Sequence, residues 1–386
     1  MAPLVESGRS KGWSQQGTVR GRASMAYFAT LILVALLWSA GTAEGRPKFN
    51  TLFAIGDSYL DTGNRNPVDG TQTEIGPVNQ DWLQPYGITF PRNPAGRFSD
   101  GFLLTDYLAT FMGLNPVPYR LYSTGAAALP ALRDGVNFAV GGAGVFDNLG
   151  FTKTGDQITQ LKELVTAGLY DPSFIADSSL ILYGVSGNDY AAFTRNNAGG
   201  VSATGLPVFI QQVVAQIMAD LRSLYALGFR NFAVTKLQPV GCLPTYTMAF
   251  DYTMCNDIVN TLTPMHNSLL DTELNLNMQL YMREANLIYL DMETVFNDIL
   301  TRRPTGFPTV LKPCCTPNFF TGLCGDVDIS NNRQPLYSVC SNPSQAFFWD
   351  NNHPTSAGWQ VVFERLLSSP IFTGGKSLPE FLLTLY

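Results

Sequence analysis

Thr51-Leu52-Phe53-Ala54-Ile55-Gly56-Asp57-Ser58-Tyr59 is the stretch on which the reading of the fold turns. Its first five residues, rich in β-branched and aromatic side chains, read as a short strand. Four more runs of this kind follow, at Val136–Val140, Leu180–Val185, Asn231–Thr235 and Asn286–Leu290. Between them lie stretches with helical period, Gln157–Leu169 and Pro207–Leu227, in which apolar residues recur three and four apart on one face. A longer amphipathic segment covers Asp257–Glu284, and a last helix is expected over Ser356–Leu367. Short apolar runs alternating with amphipathic helices predict an α/β domain around a mostly parallel five-stranded sheet. The Pro/Gly-rich sections Asp61–Phe98 and Pro304–Pro343 read as long loops, which in a compact domain are usually functional.

The remaining chain sets the limits of this domain, expected over residues 48–370. Residues 1–45 pair a basic flank (Arg9, Lys11, Arg20, Arg22) with the apolar run Met25–Ala40, followed by the small residues Gly41-Thr42-Ala43. The run is shorter than the roughly 20 residues that cross a bilayer. It reads as a cleaved secretory signal, with an uncleaved signal anchor as the alternative; both put the domain in the secretory pathway, secreted to the apoplast or held in the Golgi lumen. Any membrane association is expected only through that anchor. Residues 371–386 read as an appended C-terminal tail without an assigned role. All six cysteines, Cys242, Cys255, Cys314, Cys315, Cys324 and Cys340, lie in the second half of the chain. An even count in an exported protein predicts disulfides, and Cys242 with Cys255 would close a short loop. Their spacing lacks the Cys-x-x-Cys pattern of zinc clusters, and no metal site is expected.

Composition narrows the function. The 386 residues include 24 basic and 30 acidic side chains, for a net charge of −6, and charged residues make up 14% of the chain. No dense basic run is available to neutralise a phosphate backbone, so nucleic acid is not an expected partner. The weak charge and 12% aromatic content suit neutral or weakly polar substrates instead. Phosphate-binding loops, zinc-binding His-Glu-x-x-His helices, dinucleotide-binding glycine loops and Gly-x-Ser-x-Gly elbows are all absent from the sequence.

What remains is a distributed set of reactive residues. The chain has two histidines, so a general base working near neutral pH is one of them unless a carboxylate does the work. His266 lies among Leu262, Leu269 and Leu270 in an amphipathic stretch and reads as structural. His353 stands in the loop Trp349-Asp350-Asn351-Asn352-His353-Pro354, where Asp350 can turn back onto Nδ1–H and leave Nε2 free to take a proton. Ser58 follows the first strand, at the carboxyl end where open α/β sheets bind ligands. The next two strands end at Gly141-Gly142 and Ser186-Gly187-Asn188-Asp189. The N–H groups of Ser58 and Gly142 and the Asn188 amide are therefore candidates for an oxyanion hole, with Gly141 the alternative to Gly142.

These blocks resemble the plant GDSL esterase/lipase type of the SGNH hydrolase superfamily. The resemblance rests on Phe53-Ala54-Ile55-Gly56-Asp57-Ser58-Tyr59 with Asp61-Thr62-Gly63-Asn64, on Val136–Gly144, on Gly187-Asn188-Asp189-Tyr190 and on Asp350-Asn351-Asn352-His353-Pro354. Leu237-Gln238-Pro239-Val240-Gly241-Cys242-Leu243-Pro244 also looks like the plant family. The resemblance implies a flavodoxin-like three-layer α/β/α sandwich in which Ser58 is the nucleophile, His353 the base and Asp350 its orienting acid. Ser58, Gly142 and Asn188 would form the oxyanion hole, with no metal or cofactor. Tyr59 departs from the leucine of the family's name-giving motif and is expected to alter the acyl pocket. The expected activity is hydrolysis of carboxylic esters, with acetyl groups on cell-wall polysaccharide such as acetylated xylan as substrate. Rival readings are a lipase for longer acyl lipids, an acyltransferase using an alcohol acceptor, and a wall carbohydrate- or lipid-binding protein with a silent site. The sequence does not fix the oligomeric state.

Overall fold

The computed structural model describes residues 45–67, 79–147, 152–196, 205–302, 306–319, 322–328, 330–369 and 376–385. The expected signal or anchor segment lies outside the described residues. From Pro47 to Thr384 the chain forms one compact unit.

Its centre is a parallel sheet of six strands: β1 (Thr51–Gly56), β2 (Val117–Pro118), β3 (Gly135–Asn137), β4 (Ser179–Gly184), β5 (Asn231–Thr235) and β6 (Asn286–Leu290), in the order β2-β3-β1-β4-β5-β6. Every pairing is parallel, with Phe53 beside both Val136 and Ile181, Tyr183 beside Val234, and Val234 beside Tyr289. All residues of β1 and β4 are buried, as expected for strands covered on both faces. The five predicted strands are present and a sixth, β2, corrects the count. It is two residues long and contains Pro118, which cannot donate to a ladder and is tolerated at an edge. Without β2, the order is that of flavodoxin-like sheets, with its topological switch between β1 and β4.

Helices cover both faces. On one side α1 (Leu104–Met112), α6 (Met292–Arg302) and α7 (Ser356–Ser368) pack together; on the other lie α2 (Thr154–Thr166), α4 (Gly205–Ala226) and α5 (Leu262–Leu280). A shorter helix, α3 (Asn188–Asn196), opens at the end of β4. The predicted segment Asp257–Glu284 is broken into Asp257–Asn260 and α5. The C-terminal stretch, expected as an appended tail, adds the short helix α8 (Leu378–Leu382), whose Leu378 and Leu382 are fully buried in the main core. Phe381 packs on Phe49 with ring centroids 5.6 Å apart, so this stretch is part of the domain's packing.

A second, smaller apolar cluster sits outside the sheet core. It joins Tyr86 and Phe98 from the first long loop to Trp349, Ala346 and the cysteines of the second. Three disulfides are formed: Cys242–Cys255 as expected, Cys314–Cys340 and Cys315–Cys324. They stabilise loops that have little ladder or helix of their own. Among the described residues no helix is long and apolar enough to cross a membrane.

Candidate active site

The sheet brings three chain segments to one edge. β1 leads to Ser58, β3 to Gly142 and β4 to Asn188, and β1 lies between β3 and β4. The β3 backbone continues along β1 beyond its assigned end, with Phe138 N–H donating to Ala54 O at 2.8 Å and Val140 N–H to Gly56 O at 3.0 Å. The expected strand end at Val140 is therefore met by continued hydrogen bonding. Gln157 of α2 clamps the end of β1: its Oε1 accepts the Gly56 N–H at 2.8 Å and its amide donates to Gly56 O at 2.9 Å.

His353 arrives from the opposite end of the chain, in the loop before α7. Thr355 caps that helix by accepting the Gly358 N–H at 2.8 Å, which fixes where the loop ends. Asp350 Oδ1 accepts the N–H groups of Asn352 and His353, both at 2.8 Å, so the loop folds around its own carboxylate. His353 Nδ1 stands 2.8 Å from Asp350 Oδ1 and 2.9 Å from Oδ2, and Nε2 stands 2.8 Å from Ser58 Oγ. An ionised carboxylate can only accept, so the ring proton belongs on Nδ1 and Nε2 accepts from the serine hydroxyl. The three predicted residues, spread over nearly the whole domain, thus form one continuous hydrogen-bonded line.

Burial shapes the electrostatics. Ser58, Asp350 and His353 are each less than a tenth exposed. Burial pushes the Asp350 carboxyl upward, but the imidazole's charge and hydrogen bonds from His353, the Asn352 N–H and Tyr86 outweigh it and hold the group below its ordinary range. Asp57, next to the serine, goes the other way: burial raises it to about 6 against hydrogen bonds from Ser186 and the Tyr59 N–H. Its Oδ2 accepts the Ser186 hydroxyl at 2.7 Å, tying the end of β1 to the turn that carries Asn188.

The glycine turn after β3 is held on several sides. Gly141 donates its N–H to Asp61 Oδ2 at 2.7 Å, whereas the Gly142 N–H meets no acceptor among the described residues. Gly142 has φ of +90°, a conformation that side chains with a Cβ rarely adopt, and a Cβ on Gly141 would come within 2.4 Å of the Phe98 ring. Asn188 donates one amide hydrogen to Ala143 O at 2.8 Å. Asp189 accepts the N–H groups of Val145 and Phe146, both at 3.0 Å.

Some contributors carried no sequence-level assignment. Tyr86 donates to Asp350 Oδ2 at 2.7 Å, and Phe98 stacks on the imidazole at 4.8 Å with planes 27° apart. Both come from the Asp61–Phe98 loop, whose length was the available signal. Tyr59, expected to alter the acyl pocket, is buried against Trp359 at 5.0 Å, edge to face, and donates its hydroxyl to Asn352 O at 2.9 Å. It braces the histidine loop. His266, read as structural, lies buried with Nδ1 2.6 Å from the Tyr190 hydroxyl. Among the described residues no cluster of side chains suits a metal ion.

A serine, an imidazole and a carboxylate in one hydrogen-bonded line define the class of serine-nucleophile hydrolases. Comparison with known proteins narrows the class. The model of the GDSL-like lipase/acylhydrolase family matches residues 52–366, nearly the whole domain. A GDSL esterase/lipase of Arabidopsis thaliana is 39% identical over 329 residues, covering 82% of this chain and 86% of the relative. A second from the same plant is 36% identical over 333 residues, covering 82% and 87%. Acetylajmalan esterase 1 of Rauvolfia serpentina is 30% identical over 369 residues, covering 88% and 92%. The chain belongs to the GDSL-like lipase/acylhydrolase family, and it is an enzyme of the carboxylic ester hydrolase type.

Proposed function

We propose that the enzyme cleaves short-chain carboxylic esters through an acyl-enzyme on Ser58, with acetyl groups on cell-wall polysaccharide such as acetylated xylan as its substrate. The observation that carries the chemistry is the 2.8 Å approach of His353 Nε2 to Ser58 Oγ with Asp350 on the other ring nitrogen. Nε2 takes the hydroxyl proton as Oγ bonds to the ester carbonyl carbon. The negative charge that develops on the carbonyl oxygen is met by the Ser58 and Gly142 N–H groups and the second amide hydrogen of Asn188. The intermediate collapses by breaking the bond to the alcohol, which leaves with the proton from Nε2. Water then repeats the sequence on the acyl-serine and releases the acid. Gly142 is preferred to Gly141 because the Gly141 N–H is already bound to Asp61.

Weak charge, the aromatic ring of Phe98 against His353 and a relative named as an acetylajmalan esterase support the short acyl group. Three disulfides support a lumenal or apoplastic site of action. The test is a series of p-nitrophenyl esters of rising chain length run beside acetylated xylan, with released acid read by mass spectrometry and an added alcohol to reveal acyl transfer. Fastest turnover on acetyl esters, and release of acetate from xylan, is expected. Preference for long chains, or an ester product, would replace the proposal with the lipase or transferase reading. Fluorophosphonate labelling of Ser58 is expected in the wild type and is incompatible with a silent binding protein.

A further inference from the structure

Tyr86 lies outside every block that marks the reactive residues, 264 positions from the carboxylate it touches. Asp350 Oδ1 is engaged by two backbone N–H groups and the imidazole. Oδ2 has the imidazole at 2.9 Å, and its other hydrogen-bond donor among the described residues is the Tyr86 hydroxyl at 2.7 Å. The phenol is 2% exposed and cannot swing away. It packs edge-on against Phe98 at 5.9 Å and Trp349 at 6.2 Å, within the cluster that includes the buried cysteines Cys314, Cys315 and Cys324. Burial, then the charge of Asp350, hold the phenol well above its ordinary range, so it remains a donor wherever the enzyme works.

Resting on the serine-hydrolase reading above, we propose that Tyr86 is the positioning residue of the Asp350–His353 pair: its hydroxyl fixes the rotation of the carboxylate and shares its negative charge, and so sets the pH at which His353 serves as a base. A buried carboxylate with one oxygen unshared binds the imidazolium more strongly, which keeps the base protonated to higher pH. The groups that face the pair are Asp57 at the end of β1, Tyr59 after the serine and, through Tyr86, Asp81 and Arg65. Arg65 also stands over the Phe98 ring at 5.3 Å. Among the described residues none of these replaces the phenol as a donor to Asp350.

The experiment is the pH profile of kcat/KM on p-nitrophenyl acetate for wild type, Tyr86→Phe, Asp350→Asn and the double variant, with thermal unfolding of each. Tyr86→Phe is expected to lower kcat about tenfold with little change in KM. It should also move the acid limb up by about half a pH unit to one unit. In the Asp350→Asn background the same change is expected to do nothing further. Fluorophosphonate labelling of Ser58 should slow in parallel. An unmoved limb with only a lower Tm would make Tyr86 a packing residue and overturn the proposal, as would an equal loss of rate in the Asp350→Asn background. If Tyr86→Phe does not fold, 3-fluorotyrosine at position 86, a stronger donor, should move the limb to lower pH, and an unmoved limb overturns the proposal. Failure of the underlying reading has a different signature: Ser58→Ala would keep its esterase activity whatever position 86 does.

Discussion

His266 and His353 are both buried, yet they do different things, and the difference lies in their partners. Asp350 stands against one ring nitrogen of His353, whereas His266 has a phenol and, among the described residues, no carboxylate partner, and burial lowers it to about 4. A histidine normally titrates near 6.5, so the folded state refuses a proton that the unfolded chain accepts. The stability this represents is fully present above pH ~6.5 and is lost as pH falls through about 4, amounting to about 3 kcal/mol once both states are protonated. His266→Gln is expected to flatten that part of the stability curve in urea titrations at pH 7, 5.5 and 4 while leaving the rate per folded molecule nearly unchanged. Asn188→Ala belongs to the same scale. If the amide supplies one oxyanion donor, kcat should fall roughly 10²–10³-fold with KM much less affected, and a loss confined to KM would remove Asn188 from that role. At this scale much was legible in the sequence. Ser58, Asp350 and His353 sit inside short blocks whose neighbours reveal their setting. Tyr86 and Phe98 were not legible, because nothing beside them in sequence shows that their loop folds back onto residues 350–353.

Secondary-structure elements were legible in proportion to how fully they are buried. β1, β4, β5 and β6 show as apolar runs because both faces are covered; β2 does not, because two residues with a proline make no run. The helices α2, α4 and α7 begin and end within three residues of their predicted limits, since each carries an apolar face. What periodicity cannot show is how an element is tied to its neighbour. Gln157, on the buried side of α2, satisfies both the N–H and the carbonyl of Gly56 with a single side chain. Gln157→Leu keeps the volume and removes both bonds, leaving the Gly56 N–H at the base of the serine turn without its partner. A loss of about 2–3 kcal/mol in urea unfolding is expected, together with slower fluorophosphonate labelling because the clamp lies two residues from Ser58. An unchanged labelling rate would show that strand stability and serine placement are separable.

The whole molecule is divided between a sheet core and a smaller disulfide-bound cluster that reaches the reactive line from the side. The sheet, the helices and the end of β1 belong to the first; Tyr86, Phe98 and Trp349 belong to the second, with Cys314, Cys315 and Cys324. Cys314 and Cys315 donate their N–H groups to Phe348 O and Trp349 O at 2.9 and 2.7 Å, immediately before Asp350. The two disulfides therefore hold the carboxylate's surroundings rather than the sheet. Closing a chain segment with a sequence separation of 26, as Cys314–Cys340 does, is worth about 3–4 kcal/mol on the chain-entropy argument, and Cys314 belongs to the smaller cluster outside the sheet core. Reduction is accordingly expected to act in two stages. As reductant is raised, activity and fluorophosphonate labelling of Ser58 should fall while the far-ultraviolet circular dichroism of the helices and sheet persists, and only further denaturation should remove the latter. The double variant Cys314→Ser/Cys340→Ser should reproduce the first stage, with activity reduced at least tenfold at a temperature where the dichroism is still native. If activity and dichroism disappear together at every reductant concentration, the cluster and the sheet form one cooperative unit and the division drawn here is wrong.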